Sequence, residues 1–372
     1  MKTTIITLTM AFIGLQSCVT DEPVKFSAID SHMPFADEIK EIELIPLSTD
    51  KVNMLRTEIF CKHGNCIIPD YTVHSQGPEL IVAEDSYILV DPEQDRIYRY
   101  SLDGKFMNAI GVIEEGKEFL RNAQLRNGGL YTYIYPNAVR LYKLDGTLVE
   151  SEVVGDVGQG GWKVNDGILT WYGFGSGRPG RIALWEGQDS TSFLPTDAKV
   201  LNLELKLPIF NQNKDYVTFI DGNRSSVMKY CDGKISSHQE IDLGTYAIND
   251  SYYTHDDWMS AAMEMMSKPF GIVERYVEGG KEIFMEVFVQ TPEGGTHDYY
   301  GIFNNNRWIW FSPGTTNEHP FVNSFRTIKG KTLYCILNPD ILKNMQEELK
   351  VKITTPLESI PNDFIIAKVH LK

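Results

Sequence analysis

Apolar and polar positions alternate along most of the chain in short bursts, and a turn of fixed chemistry recurs between the bursts. Arg96-Ile97-Tyr98-Arg99-Tyr100-Ser101-Leu102-Asp103-Gly104-Lys105-Phe106 is one such unit, and Val139-Arg140-Leu141-Tyr142-Lys143-Leu144-Asp145-Gly146-Thr147-Leu148 repeats it 42 residues on, Asp103 to Asp145. Another 42 residues reaches Gly187, within Ile182-Ala183-Leu184-Trp185-Glu186-Gly187-Gln188, and 45 more reaches Asp232-Gly233-Lys234. Asp-Gly between alternating strands predicts a hairpin, because the tight turn needs positive φ at its central residues. A shorter apolar strand precedes each hairpin, as in Tyr87-Ile88-Leu89-Val90, Gly129-Leu130-Tyr131-Thr132-Tyr133 and Asp215-Tyr216-Val217-Thr218-Phe219. These are expected to be the inner strands of each unit.

A period near 42 with several short strands per unit is the blade length of a β-propeller. The next turn, Asn304-Asn305-Asn306-Arg307, lies 73 residues beyond Asp232, which leaves room for an insertion. There Thr254 reads as the cap of a helix with Asp256 and Asp257 in its first turn, running through Met259 to Met266 and stopping at Pro269. A second short helix is expected from Asn338-Pro339-Asp340 to about Leu349, with Pro339 at its first position. Ile39 to Leu47 and Asp363 to Leu371 both alternate like strands, and pairing them in one blade would close a ring. The predicted fold is all-β: a six-bladed β-propeller over residues 37–372, with an inserted short helix and a C-terminal short helix, closed by N- and C-terminal strands.

The first residues carry an address. Met1-Lys2 and an apolar run from Ile5 to Leu15 make a secretory signal, and Leu15-Gln16-Ser17-Cys18 resembles a bacterial lipobox with Cys18 as the lipidated residue. Residues 1–17 are expected to be a lipoprotein signal peptide and 18–36 a lipidated tether; plain secretion with an unrelated cysteine is the alternative. Acidic Asp21 and Glu22 resemble a surface-export signal, so the anchor is placed in the outer membrane, facing either the periplasm or the medium. No window of 18 uninterrupted apolar residues follows, so no transmembrane helix is expected.

Composition changes this picture little. There are 35 Lys+Arg against 50 Asp+Glu, a formal charge of −15, so a polyanion would meet a repulsive average field and nucleic acid is not an expected partner. Outside the cytoplasm the close pair Cys61 and Cys66 is read as a disulfide loop rather than half a metal site, and Cys231 and Cys335 as buried free thiols.

These segments together resemble the six-bladed β-propeller lipoproteins of Bacteroidetes. The likeness rests on Ile45-Pro46-Leu47, on Ile88-Leu89-Val90-Asp91 leading into the Tyr98 to Phe106 hairpin, and on the tail from Asp340 through Asn362 to Lys372. It implies the fold and an envelope location, and no particular reaction. The chain departs from the family pattern at Gly111 to Phe119, where a Gly-Pro is missing.

Local chemistry offers two candidate sites. Trp162, Trp171, Tyr172, Arg178 and Arg181 lie in an aromatic, Gly-rich stretch that would suit a glycan, through ring stacking and guanidinium forks, against the plainer reading of strand core and hairpin loop. His255, Asp256 and Asp257 could act as acid and base or hold a divalent cation such as Ca²⁺, against the plainer reading of helix capping. His297, Asp298 and His319 are later loop positions that would matter only by convergence. No Gly-x-Ser-x-Gly elbow, His-Glu-x-x-His motif, P-loop or dinucleotide fingerprint is present. No cofactor is predicted beyond Ca²⁺ as an option. The sequence favours a binding or scaffold propeller for a glycan or a partner protein, with a propeller hydrolase or lyase using loop carboxylates as the alternative.

Overall fold

The computed structural model describes residues 22–48, 78–92, 95–111, 117–173, 178–195, 210–213, 215–221, 225–253, 257–312, 325–337, 342, 345, 347–356 and 364–372. Six antiparallel sheets follow one another around a ring. Blade 1 comprises Glu79–Val82, Ser86–Asp91, Arg96–Ser101 and Phe106–Ala109; blade 2, Phe119–Arg126, Gly129–Tyr135, Ala138–Lys143 and Leu148–Val153. Blade 3 comprises Gly160–Lys163, Ile168–Trp171, Gly180–Glu186 and Asp189–Pro195; blade 4, Phe210–Gln212, Val217–Ile220, Ser226–Cys231 and Lys234–Asp242. Blade 5 comprises Phe270–Glu278, Ile283–Gln290, Thr296–Asn304 and Arg307–Phe311. Blade 6 joins Phe325–Lys329, Thr332–Leu337 and Ile365–Leu371 to Ile39–Pro46 from the start of the chain. The protein is a six-bladed β-propeller, closed as the alternating terminal strands predicted.

The recurrent turns join the third and fourth strands of their blades. Gly104, Gly146, Gly187 and Gly233 all have positive φ, as do Asn305 and Asn306 in the equivalent turn of blade 5. At Gly104 a side chain is also excluded by space, since a Cβ there would lie 2.0 Å from the Pro46 carbonyl oxygen. That turn packs the rim of blade 1 against blade 6, and the Ser48 amide bonds to the Gly104 carbonyl.

The strands expected to be innermost are second in their blades. The strands that line the channel are Glu79–Val82, Phe119–Arg126, Gly160–Lys163, Phe210–Gln212, Phe270–Glu278 and Phe325–Lys329. They escape a search for apolar alternation because their polar side chains are needed for pairing. Each inner strand has one edge without a strand partner, and around most of the ring side chains of the preceding blade bond to it. Asn122 donates to the Gly161 carbonyl at 2.9 Å and accepts from the Gly161 amide at 3.0 Å, while Gln124 repeats the pattern on Lys163 at 3.1 and 2.7 Å. Asn211 donates to the Tyr276 carbonyl, Arg275 to the Arg326 carbonyl at 3.2 Å, and Arg326 to the Pro78 carbonyl at 2.8 Å. Most of the ring is thus stitched, blade to blade, around the channel.

Apolar burial is divided into wedges between blades rather than gathered in one centre. Tyr133 and Val139 of blade 2 meet Ile168 and Trp185 of blade 3, and Leu89 and Tyr100 of blade 1 meet Ile336 and Ile366 of blade 6.

The helices differ from expectation at their ends. The inserted helix is Trp258–Met266, three residues shorter at its start, because Asp257 takes the N-cap position and accepts from the Ser260 amide at 3.2 Å and its hydroxyl at 2.6 Å. Ala261 and Met265 are buried, whereas Met263 and Met266 are exposed. The described C-terminal helix is Glu347–Lys350, and the expected start at residues 338–340 lies outside the described residues.

The segment expected to be tether is held against the ring from Glu22 onward. Val24–Lys25 adds a parallel strand to the outer edge of blade 4, and a helix at Met33–Glu38, with Pro34 in its first turn, buries Phe35 beside Phe311.

Candidate functional site

All six inner strands contribute to one cavity of about 490 Å³ in the channel. Its lining includes the ends of the inner strands that lead into the first turn of their blades, with Val82, Leu125, Asn213, Gly279 and Lys329 among them. Its lining also includes Glu79, whose carboxylate makes a two-pronged ion pair with Arg275 at 2.8 and 2.7 Å, reaching across from blade 5 to blade 1. Arg275 is fully enclosed, and Glu286 lies 3.5 Å from its Nε.

The wall mixes apolar surface with a few fixed polar groups. Trp162 lies in it, 8% exposed, with its indole N–H donating to Gln212 Oε1 at 3.2 Å. Lys329 is exposed, and its ammonium donates to the Val82 carbonyl; desolvation where it lies against the wall pulls its pKa below the ordinary range, against the opposing charge of Glu84.

Glu278 is the most elaborately held group in the wall. His238 Nε2 lies 2.5 Å from Oε1, Tyr276 donates to the same oxygen at 2.9 Å, and Tyr216 donates to Oε2 at 2.9 Å. Burial alone would raise the Glu278 pKa, but the hydrogen bond and charge of His238, with the two tyrosines, outweigh it and hold the carboxyl below its ordinary 4.5. The phenols shift the other way: burial and the Glu278 charge push both Tyr216 and Tyr276 up. A depressed folded-state pKa means the group stabilises the fold fully above the unfolded value and loses that contribution as pH falls through the folded value. In Glu278→Gln, stability should therefore fall at neutral pH, and its decline below pH 4.5 should be shallower than in the wild type, as read from urea midpoints across the acid range.

A second concavity of about 480 Å³ lies between blades 3 and 4 and shares Gln212 with the channel cavity. Asp166, Asp215 and Asp232 make it acidic. Its thiol, Cys231, is half-buried rather than buried as expected, and burial together with Asp232 raises its pKa.

Among the residues singled out in the sequence, Trp162 is the one that enters the channel cavity. Trp171 is wholly enclosed and Tyr172 is buried, so neither ring presents a face for stacking. Arg181 is buried in a two-pronged pair with Asp221 of blade 4, both contacts at 2.8 Å, which engages its guanidinium fork internally. Arg178 is exposed, bonds Asp156 at 2.5 Å and lies 5.1 Å from the Tyr172 ring centre. Asp257 is the helix cap described above. His255, Asp256, Cys18, Cys61, Cys66 and His319 lie outside the described residues.

Asp298 converges with other carboxylates, though not with Asp257. Oxygens of Glu274, Glu286 and Asp298, on three successive strands of blade 5, lie within 4.8 Å of one another, a set of the kind that can hold a cation. The sequence signal for them was a spacing of twelve residues taken twice across a meander. His238, Tyr216 and Glu278 were missed because they come from three strands, two of them on blade 4 and one on blade 5.

No protein-family model matches the chain, and no curated protein matches it in sequence. Among solved structures, a candidate exported protein from Bacteroides fragilis is similar with a TM-score of 0.68 at 12% identity, over 94% of this chain and 99% of the other. The fold is shared. A Bacteroides vulgatus protein from a family of unknown function aligns with a TM-score of 0.48 at 9% identity, over 90% and 97% of the two chains. Virginiamycin B lyase from Staphylococcus aureus aligns at 0.41 and 11% identity, over 89% and 99%.

Proposed function

We propose that this propeller is an envelope lipoprotein, lipidated at Cys18, that binds a small glycan in its channel cavity. The observation that carries the reading is the cavity itself: about 490 Å³, within the usual span for small-ligand sites, walled by all six blades. Trp162 supplies aromatic surface, Gln212 and Asn213 supply amide groups, and Lys329 and Glu278 supply one charge of each sign. That mixture suits a sugar carrying hydroxyls on an apolar ring, with Lys329 placed to favour a uronate. The envelope address rests on residues 1–18 and accords with the exported character suggested for the Bacteroides fragilis neighbour.

The test is a thermal-shift screen of the full chain in detergent against neutral and uronic mono- and disaccharides, with calcium and EDTA arms. A ligand at a hundred times its Kd should stabilise the native state by about 2.7 kcal/mol. The shift should shrink for uronates in Lys329→Met and for all sugars in Trp162→Phe. A panel without any shift would count against the reading. Consumption of the sugar, followed by NMR, would favour the hydrolase or lyase alternative, and a calcium-dependent shift lost in Asp298→Asn would bring the blade 5 carboxylates into it.

A further inference from the structure

The first described residues do not lead freely away from the ring. The Glu22 carbonyl accepts from Gln239 Nε2 at 3.2 Å, Val24 and Lys25 pair with Ile241 and Asp242, and the Phe26 amide donates to the Asp242 carbonyl at 3.0 Å. The Phe26 ring then enters an aromatic pocket, with Tyr246, Tyr299 and Trp310 centred 6.0, 5.4 and 5.1 Å away. Tyr299 donates to Asp30 at 2.5 Å, and Phe35 stacks on Phe311 at 4.4 Å. Residues 22–38 form a strap fixed at successive points along the rims of blades 4, 5 and 6.

The strap shortens the leash. An extended chain covers at most about 3.5 Å per residue, so a free segment from Cys18 to residue 36 could reach about 60 Å, whereas the stretch from Cys18 to Glu22 can reach at most about 14 Å. We propose that the outer edge of blade 4 is the membrane-facing surface of the protein, a lipid bilayer being its partner, and that the ring stands edge-on with the channel opening sideways along the membrane. This inference rests on the lipidation of Cys18. Two or three acyl chains supply the attachment, and the strap supplies the orientation.

The experiment uses the full lipidated chain in phosphatidylethanolamine/phosphatidylglycerol vesicles that carry a nitroxide on the lipid headgroup. A genetically encoded fluorescent side chain replaces either Ser236, exposed on the outer strand of blade 4, or Met107, 45% exposed on the outer strand of blade 1 across the ring. Mass spectrometry of the N-terminal peptide establishes acylation in the same samples. The expected result is quenching several-fold stronger at Ser236 than at Met107, with the difference removed when a long Gly/Ser spacer is inserted between Asp21 and Glu22. That insertion leaves the strap and the ring intact. Acylated protein with equal quenching at the two positions, or a difference that survives the spacer, overturns the orientation while leaving the anchor standing. A peptide without acyl mass overturns both.

Discussion

Replacing Arg275 with alanine should lower the unfolding free energy by about 3–5 kcal/mol, the usual consequence of removing one partner of a buried ion pair. The guanidinium makes both prongs of the pair with Glu79, which lines the cavity, donates to the Arg326 carbonyl and sits beside Glu286, and all four residues are buried. Without it, buried carboxylates lose their nearest cation, and the strand of blade 6 loses a stitch to blade 5. The loss has a pH signature. Carboxyls left buried without a partner have folded-state pKa values above their unfolded ones, so protonation relieves the variant as pH falls. Urea unfolding at neutral and mildly acidic pH should show the gap between variant and wild type narrowing in acid. A gap that is constant across that range would mean that the lost packing of the side chain, not its charge, is responsible.

Trp171→Ala should be comparably severe, at about 3–5 kcal/mol for removal of a fully enclosed indole. Trp171 has no exposed surface, and its ring lies 6.2 Å from that of Phe219 in the wedge between blades 3 and 4. Its indole N–H has no hydrogen-bond partner among the described residues, so Trp171→Phe should be far milder, since it keeps most of the volume and removes an unsatisfied donor. Thermal melts of the two variants check this directly. A mild alanine variant would mean that the wedge can collapse around the hole. Loss of ligand binding in Trp171→Ala would report the damaged wedge, and for that reason the conservative change at Trp162 is the informative one for the cavity.

The hairpins, the blade period and the ring closure were legible because each depends on local chemistry. Asp103-Gly104 and Asp145-Gly146 announce positive φ, and the terminal segments alternate visibly. The inner strands were hidden by their role as stitching. Asn122, Gln124, Asn211 and Arg326 occupy positions where alternation demands apolar residues, and each bonds the backbone of the neighbouring blade. The candidate site was hidden for a related reason: it takes a few residues from every blade, so no segment of sequence carries more than a fragment. His238 stands on the outer strand of blade 4 and Glu278 on the inner strand of blade 5, non-equivalent positions on either side of the insertion, so no repeat or motif links them. The helix start was misplaced because two capping residues compete there, and Asp257 reaches the Ser260 amide. The strap escaped notice because a two-residue strand and a six-residue helix fall below any periodicity.

The closing blade has a consequence for the order of events in the life of the chain. Ile365–Leu371 lies between Thr332–Leu337 and Ile39–Pro46, so a strand made late is needed to seat one made early. A nascent chain therefore cannot latch its ring until Ile365–Leu371 has been made, and until then Ile39–Pro46 waits with an open edge. A ring built in this way stays an open row of blades for as long as that late strand is missing, and the strand then seals it on both of its edges at once.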